Sequence, residues 1–358
     1  MVVKVLIVLD NTDLGGNEQH ALNIIEYMDK NKYETHVLVT TYKGRMDDKF
    51  KEHADRYVFC GDIDERTPSE PVSLDVLRYI SSYVEMHGID VAHLFNGIQN
   101  ILGLPADFPK IMHMGGDFER EQYYRRVNPE LLCFPSKDRK KPMVEYLNSA
   151  PNTLIVSDCE NNAKYFTNYY YYRNFVPQMS DYDPKTTVKR GKTVAWVGRD
   201  TREKHPEMVK YLAKVMPDYT FNFVVATPAR DIEMPDNVKK YVNVTDKRVI
   251  HNILLESSVF INTSDSEGYP ISITEARQNG CFTIGAMNVV DNVDHQVIGW
   301  NNITGYKESI EAFESLTDKQ KTFYRHKAIQ SSREQGSMFK VRVIERLYDN
   351  LIKKKVIE

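Results

Sequence analysis

The stretch Ser264-Asp265-Ser266-Glu267-Gly268-Tyr269-Pro270-Ile271-Ser272-Ile273-Thr274-Glu275-Ala276 sets two carboxylates, Glu267 and Glu275, eight positions apart. It follows an apolar run, Val259-Phe260-Ile261-Asn262, that reads as a buried strand. Gly268 and Pro270 break the chain, and 271–278 reads as a short helix stopped by Asn279-Gly280. Glu267 is therefore expected on a strand-to-helix loop, with Glu275 about two turns further on. A helix N-terminus aimed at such a loop suits an anion, and a carboxylate beside it accepts hydrogen bonds from neutral hydroxyls. That combination fits a ligand that is part phosphate and part sugar. A surface loop with two solvated glutamates is the plain alternative, and the spacing alone favours it.

The surrounding chain is 358 residues long, more than the roughly 250–300 at which single cores stop growing, so two domains are expected. A net charge of −3 offers no general attraction to nucleic acid. Cys60, Cys133, Cys159 and Cys281 form no CxxC pair and read as buried thiols of a reducing compartment. No leader precedes the first strand, and no run approaches the roughly 18 apolar residues of a membrane span. The expected location is cytoplasmic, compatible with peripheral contact at the inner face of a membrane.

Going back from the glutamates to the start, 2–9 is a nearly unbroken aliphatic run, interrupted only by Lys4, as in a central parallel strand covered on both faces. Gly15-Gly16 follows it and precedes a helix from about Glu18 to Met28. Such a pair lets a phosphate approach the backbone, although an ordinary turn reads the same way. The glycines are adjacent and not in G-x-G-x-x-G spacing, which disfavours a dinucleotide site. Strands at 35–40, 57–60, 91–94, 110–114 and 153–157, with a helix at 73–86, imply a doubly wound α/β sheet. His113 ends one of these strands before Gly115-Gly116. It is either a site residue or a satisfied core histidine. Asp62-Ile63-Asp64 and Asp181-Tyr182-Asp183 have the DxD spacing of metal sites, but solvated loops are the better reading, and no metal is assigned. The basic Arg125-Arg126 and 137–141 could hold an anionic acceptor or meet a phospholipid surface. The Tyr169–Tyr172 run reads as packing surface.

Around 176–190 the periodicity lapses, and a second set of elements begins. A strand at 193–197 leads into Gly198-Arg199 and on to Lys204-His205-Pro206, with a helix over 207–215. Arg199 and Lys204 are two cations on a strand-to-helix loop. Strands at 221–225, 259–262 and 282–286 and a helix at 248–257 continue the pattern. The residues 337–354 form an amphipathic helix with Phe339, Val343, Leu347 and Leu351 on one face, expected to pack back on the body.

Together these motifs resemble the retaining glycosyltransferases of family 4, which have the two-domain GT-B fold. Gly15-Gly16-Asn17-Glu18 is similar to the family's G-G-x-E, and Gly198-Arg199 with Lys204 to its G-R-x(n)-K-x-P loop. His205 stands where the family usually has glycine. Glu267 to Glu275 is similar to its E-x7-E, and 291–306 to the segment that follows. The resemblance implies an α/β GT-B architecture of two Rossmann-like domains facing a cleft, over 1–178 (acceptor) and 179–336 (nucleotide sugar), with 337–358 returning to the first. It implies a sugar–nucleotide donor, UDP- or GDP-linked, whose departing diphosphate meets Arg199 and Lys204. Glu267 would bind donor-sugar hydroxyls, Glu275 the ribose, and the backbone of Gly268, Tyr269, Pro270 and Ile271 sugar and phosphate. His113 would stand near the donor sugar. No cofactor or metal is required, and the acceptor is a glycan, a lipid-linked sugar, a teichoic acid or a protein. A sugar-nucleotide epimerase and a catalytically silent glycan-binding partner are the alternatives.

Overall fold

A computed structural model of the chain describes residues 2–63, 72–95, 98–116, 133–134, 141–178, 190–225, 233–244, 246–265, 267–286, 296–298, 302–333, 336 and 338–357. The chain divides into two compact units: Met1–Phe175 with Met338–Glu358, and Val176–Ser337. The basic residues at 125–126 and 137–140, Asp64, the 181–183 acidic triplet and 291–295 lie outside the described residues.

The first unit is built on β1 (Val3–Asn11), α1 (Gly16–Tyr27), β2 (Tyr33–Tyr42), α2 (Asp47–His53), β3 (Arg56–Phe59), α3 (Leu74–His87), β4 (Val91–Phe95) and β5 (Lys110–Met114). A small antiparallel pair, β6 (Cys133–Phe134) and β7 (Lys141–Pro142), precedes α4 (Met143–Ser149), β8 (Thr153–Ser157) and β9 (Tyr169–Tyr171). The main sheet is parallel throughout, in the order β3-β2-β1-β4-β5-β8-β9. Successive β1 residues point to opposite faces, and both faces are covered. Leu6 and Val8 join one core with α3, while Val5, Ile7 and Leu9 join the other with α1. Lys4, the exception in that run, donates from Nζ to His87 O at 2.9 Å, placing its charge at the C-terminus of α3. Ser73 caps α3 by accepting from Val76 N at 3.3 Å, and Gly88 ends it at φ +60°.

The second unit runs β10 (Thr193–Gly198), α5 (Glu207–Val215), β11 (Thr220–Val225), β12 (Val238–Val242), α6 (Lys247–Glu256), β13 (Val259–Asn262), α7 (Ile271–Gln278), β14 (Phe282–Ala286), β15 (Gln296–Ile298), α8 (Ile303–Glu314) and α9 (Asp318–Arg333). Its sheet is also parallel, ordered β12-β11-β10-β13-β14-β15. Val194 and Trp196 pack with α5 and α8 on one face, and Ala195 packs with α6 and α7 on the other.

The last helix, α10 (Phe339–Ile357), packs on the first unit, with Val343, Leu347 and Leu351 of the expected face against its core. Val341, Ile344, Tyr348 and Leu351 are buried, whereas Phe339 is 60% exposed. Four-residue steps overshoot the helical turn by about 40° each, so a strict i+4 series drifts off the core face. Among the described residues, no helix is long and apolar enough to cross a membrane. Cys60, Cys159 and Cys281 are buried.

Lys110 is 1% exposed, and its ammonium donates to the carbonyls of Pro105, Ala106, Phe108 and Pro151 at 2.7–3.4 Å. Lys110→Met should orphan these acceptors and cost about 1–3 kcal/mol in urea unfolding. An unchanged midpoint would show that the carbonyl cage contributes nothing.

Candidate active site

In each sheet the strand order reverses beside the strand that enters it first, between β1 and β4 and between β10 and β13. Parallel strands send the following loops to one edge, and ligands of open α/β sheets bind at that reversal. In the second unit the two loops concerned are 199–206 after β10 and 263–270 after β13. They carry the expected cations and the first of the two glutamates.

The loops are joined side chain to side chain and side chain to backbone. Lys204 Nζ donates to Glu267 Oε1, the two side chains being 18% and 15% exposed. Ser264 Oγ donates to the same oxygen at 2.6 Å. Thr263 receives the indole N–H of Trp196 at 2.8 Å and donates to Lys204 O at 2.6 Å. Asp265 N donates to Glu203 O at 3.0 Å. Tyr306 of α8 fixes the end of β13, donating to Asn262 O at 2.6 Å. Burial alone would raise the Glu267 carboxyl, but Lys204, Ser264 and Asn262 together hold it below the ordinary carboxylate value. It is an anion at neutral pH.

Arg199 is less restrained. Its guanidinium is 47% exposed and reaches Glu203 at only 3.7 Å. Gly198 precedes it because a Cβ there would stand 2.9 Å from the Trp196 ring. Glu275, on α7, is paired with Lys247 at 2.6 Å. Lys247 went unnoticed in the sequence. A signal was present, since a lysine in the first turn of a helix opposes the helix dipole and calls for a separate partner. Tyr269 and Ile271 are buried, and Gly268 and Pro270 lie between loop and helix as expected. Asn279-Gly280 ends α7 with Gly280 at φ +71°.

The first unit presents the other expected residues. A Cβ on Gly15 would stand 1.9 Å from Glu18 Oε2, so the space beside Gly15 is taken by that carboxylate, whereas beside Gly16 it is open. The glycine at 15 and the glutamate at 18 are thus one feature, a carboxylate folded over the start of α1. His113 is fully buried. It stacks on Phe95 at 4.8 Å, contacts His20 and Tyr172, and its Nδ1 lies 3.3 Å from His93 Nε2. His93 Nδ1 in turn meets Tyr348 OH at 2.7 Å. Burial pulls the His113 imidazole down to about 3 against the opposing effect of Asn174, so it is neutral and can act only as a hydrogen-bonding group. After it, Gly116 turns at φ +84°, with N donating to Asp158 Oδ1 at 2.9 Å.

The Lys204–Glu267 pair carries a stability signature. Lys204→Met would leave a carboxylate largely buried without its cation, a loss that approaches the roughly 3–5 kcal/mol of a broken buried pair. Because the Glu267 pKa is depressed in the fold, its contribution is present above about 4.5 and lost as pH falls further. Urea unfolding between pH 3 and 7 should show a shallower acid limb in Lys204→Met than in the parent. Identical limbs would place the pair outside the acid response.

No family model matches the chain, and no curated protein matches it by sequence. Solved structures match over nearly its whole length. A glycosyltransferase from Rickettsia africae superposes with a TM-score of 0.73 at 12% identity, covering 98% of this chain and 99% of that one. A TarM variant from S. aureus, in complex with fondaparinux, α-GlcNAc-glycerol and UDP, gives 0.70 at 11%, covering 98% and 100%. The catalytic domain of starch synthase IV from Arabidopsis thaliana, bound to ADP and acarbose, gives 0.62 at 11%, covering 98% and 99%. At these identities the likeness establishes the fold, and that fold is GT-B.

Proposed function

We propose that the chain is a retaining glycosyltransferase of the family 4 type, moving a sugar from a UDP- or GDP-sugar to an acceptor hydroxyl without a metal ion. The observation that carries this reading is the Lys204–Glu267 pair, with Arg199 on the same loop as Lys204, at the reversal point of the second sheet. A departing nucleoside diphosphate needs cations, and a sugar ring needs hydrogen-bond acceptors. This loop pair supplies both within one small region.

Arg199 presents a planar fork to phosphate oxygens, and Lys204 a compact point charge. Aimed at charge that grows as the anomeric carbon–oxygen bond breaks, such groups supply a few kcal/mol each, about 2.7–4 for a well-placed donor. Glu267, ionised and oriented by Ser264, accepts from sugar hydroxyls. Glu275, oriented by Lys247, takes the ribose. In the reaction the bond from the anomeric carbon to the phosphate oxygen breaks, and a bond to the acceptor oxygen forms on the same face. The acceptor's proton passes to the departing phosphate, so no separate general base is assigned. His113, as a neutral imidazole, contributes a hydrogen bond and no charge. The structural neighbours that hold UDP, or ADP and acarbose, support a nucleotide-sugar donor and a glycan acceptor. Peripheral contact with a membrane surface through the basic residues of 125–141 is part of the same proposal.

The test is to incubate the protein with a panel of UDP- and GDP-sugars, with and without EDTA, and follow release of the nucleotide. Release that persists in EDTA and falls by about 10²–10³-fold in Lys204→Ala and in Glu267→Ala is the expected result. Release insensitive to both substitutions would remove the site assignment, and loss in EDTA would overturn metal independence.

A further inference from the structure

His205 departs from the glycine of the resembled motif, and its backbone is left-handed, at φ +45° and ψ +53°. A residue with a Cβ pays roughly 1–2 kcal/mol for that conformation, so something must hold it. Two contacts do. The ring Nε2 lies 2.6 Å from Asp265 Oδ2, and Nδ1 lies 2.9 Å from Glu207 Oε1. Ionised carboxylates only accept, and a neutral imidazole has a single N–H to give. Only the imidazolium donates to both. The contacts also span the site. Glu207 opens α5 on the Lys204 side, whereas Asp265 lies two residues before Glu267 in the facing loop.

We propose that His205 is a positioning residue: as an imidazolium it clamps the loop after β10 to the loop after β13, sets Lys204 against Glu267, and so makes affinity for the nucleotide sugar pH-dependent. This rests on the reading of these loops as the donor site. The charged and titratable groups facing the ring are Asp265 from the β13 loop and Glu207 from α5, with Lys204 and Glu203 on its own loop. Tyr306 of α8 interacts electrostatically with Asp265. Burial pulls the imidazole down, but the Asp265 and Glu207 carboxylates outweigh it and move the group upward from 6.5. The clamp is therefore fully formed below pH 6.5 and is released as pH rises through the folded-state value. On release one N–H and the contact it made are lost, and the two loops are held by the Lys204–Glu267 pair, Thr263 and the backbone contact.

The experiment measures donor KM and kcat for nucleotide release from pH 6 to 9 in the full chain and in His205→Gly and His205→Gln. Glycine adopts the left-handed conformation without strain, so His205→Gly relieves the backbone and removes the ring with its charge and both contacts. The parent's KM should rise about 5-fold or more across this range, the low end of couplings between linked equilibria, with kcat much less affected. His205→Gly and His205→Gln should show a KM that is already raised at pH 6 and flat with pH. Parallel KM profiles in parent and variants would overturn the clamp. A second arm is independent of turnover: ¹⁵N-histidine spectra, assigned with His205→Gly, should show both His205 ring nitrogens protonated at pH 6.5. A neutral His205 there would also overturn the proposal. A charged His205 in a protein that turns over no nucleotide sugar would uphold the imidazolium and remove the glycosyltransferase reading.

Discussion

A parallel strand pair sends its two following loops to the same edge of the sheet, and the ion pair between Lys204 and Glu267 depends on that. The residues are far apart in sequence, yet β10 and β13 are neighbours, and the strand order reverses between them. The ion pair is mostly withdrawn from water, which makes it costly to break. Trp196, Thr263 and Tyr306 position the loop backbones, so side-chain chemistry at the tips rests on buried hydrogen bonds beneath.

The strands of both units were legible because a strand covered on two faces reads as an unbroken apolar run. β5, β8, β13 and β14 occur at the expected residues, and β1 and β10 close to them. The misses have physical reasons. β12 is an edge strand carrying Lys239 and Lys240, charges that blunt an edge and hide the strand pattern. α9, Asp318–Arg333, buries only Ala328, Ile329 and Ser332 and so shows little apolar stripe. In α10 the i+4 series finds Val343, Leu347 and Leu351 against the core but overruns it at Phe339 and passes over Val341, Ile344 and Tyr348.

The site was partly legible. Glu267, Lys204 and Arg199 could be placed on their loops from strand ends and helix-starting residues. Their mutual contact could not, because strand order is a long-range property. The pairing of His205 with Asp265 and of Glu275 with Lys247 could not be read for the same reason, each partner lying more than one element away. His113 illustrates the opposite limit. A histidine at a strand end reads equally as ligand or core, and the structure surrounds it with Phe95, His20, His93 and Tyr172. Gly15 likewise reads as room for a phosphate, whereas Glu18 lies beside it.

Two sources of order thus meet at the loops after β10 and β13: the sheet topology, which brings them together, and a set of complementary charges, which fixes them. The most direct measurement is a crystal structure of the protein soaked with a mixture of UDP- and GDP-sugars. The account predicts the diphosphate against Arg199 and Lys204 and the sugar hydroxyls on Glu267. A diphosphate held elsewhere, with the Lys204–Glu267 pair untouched, would contradict it.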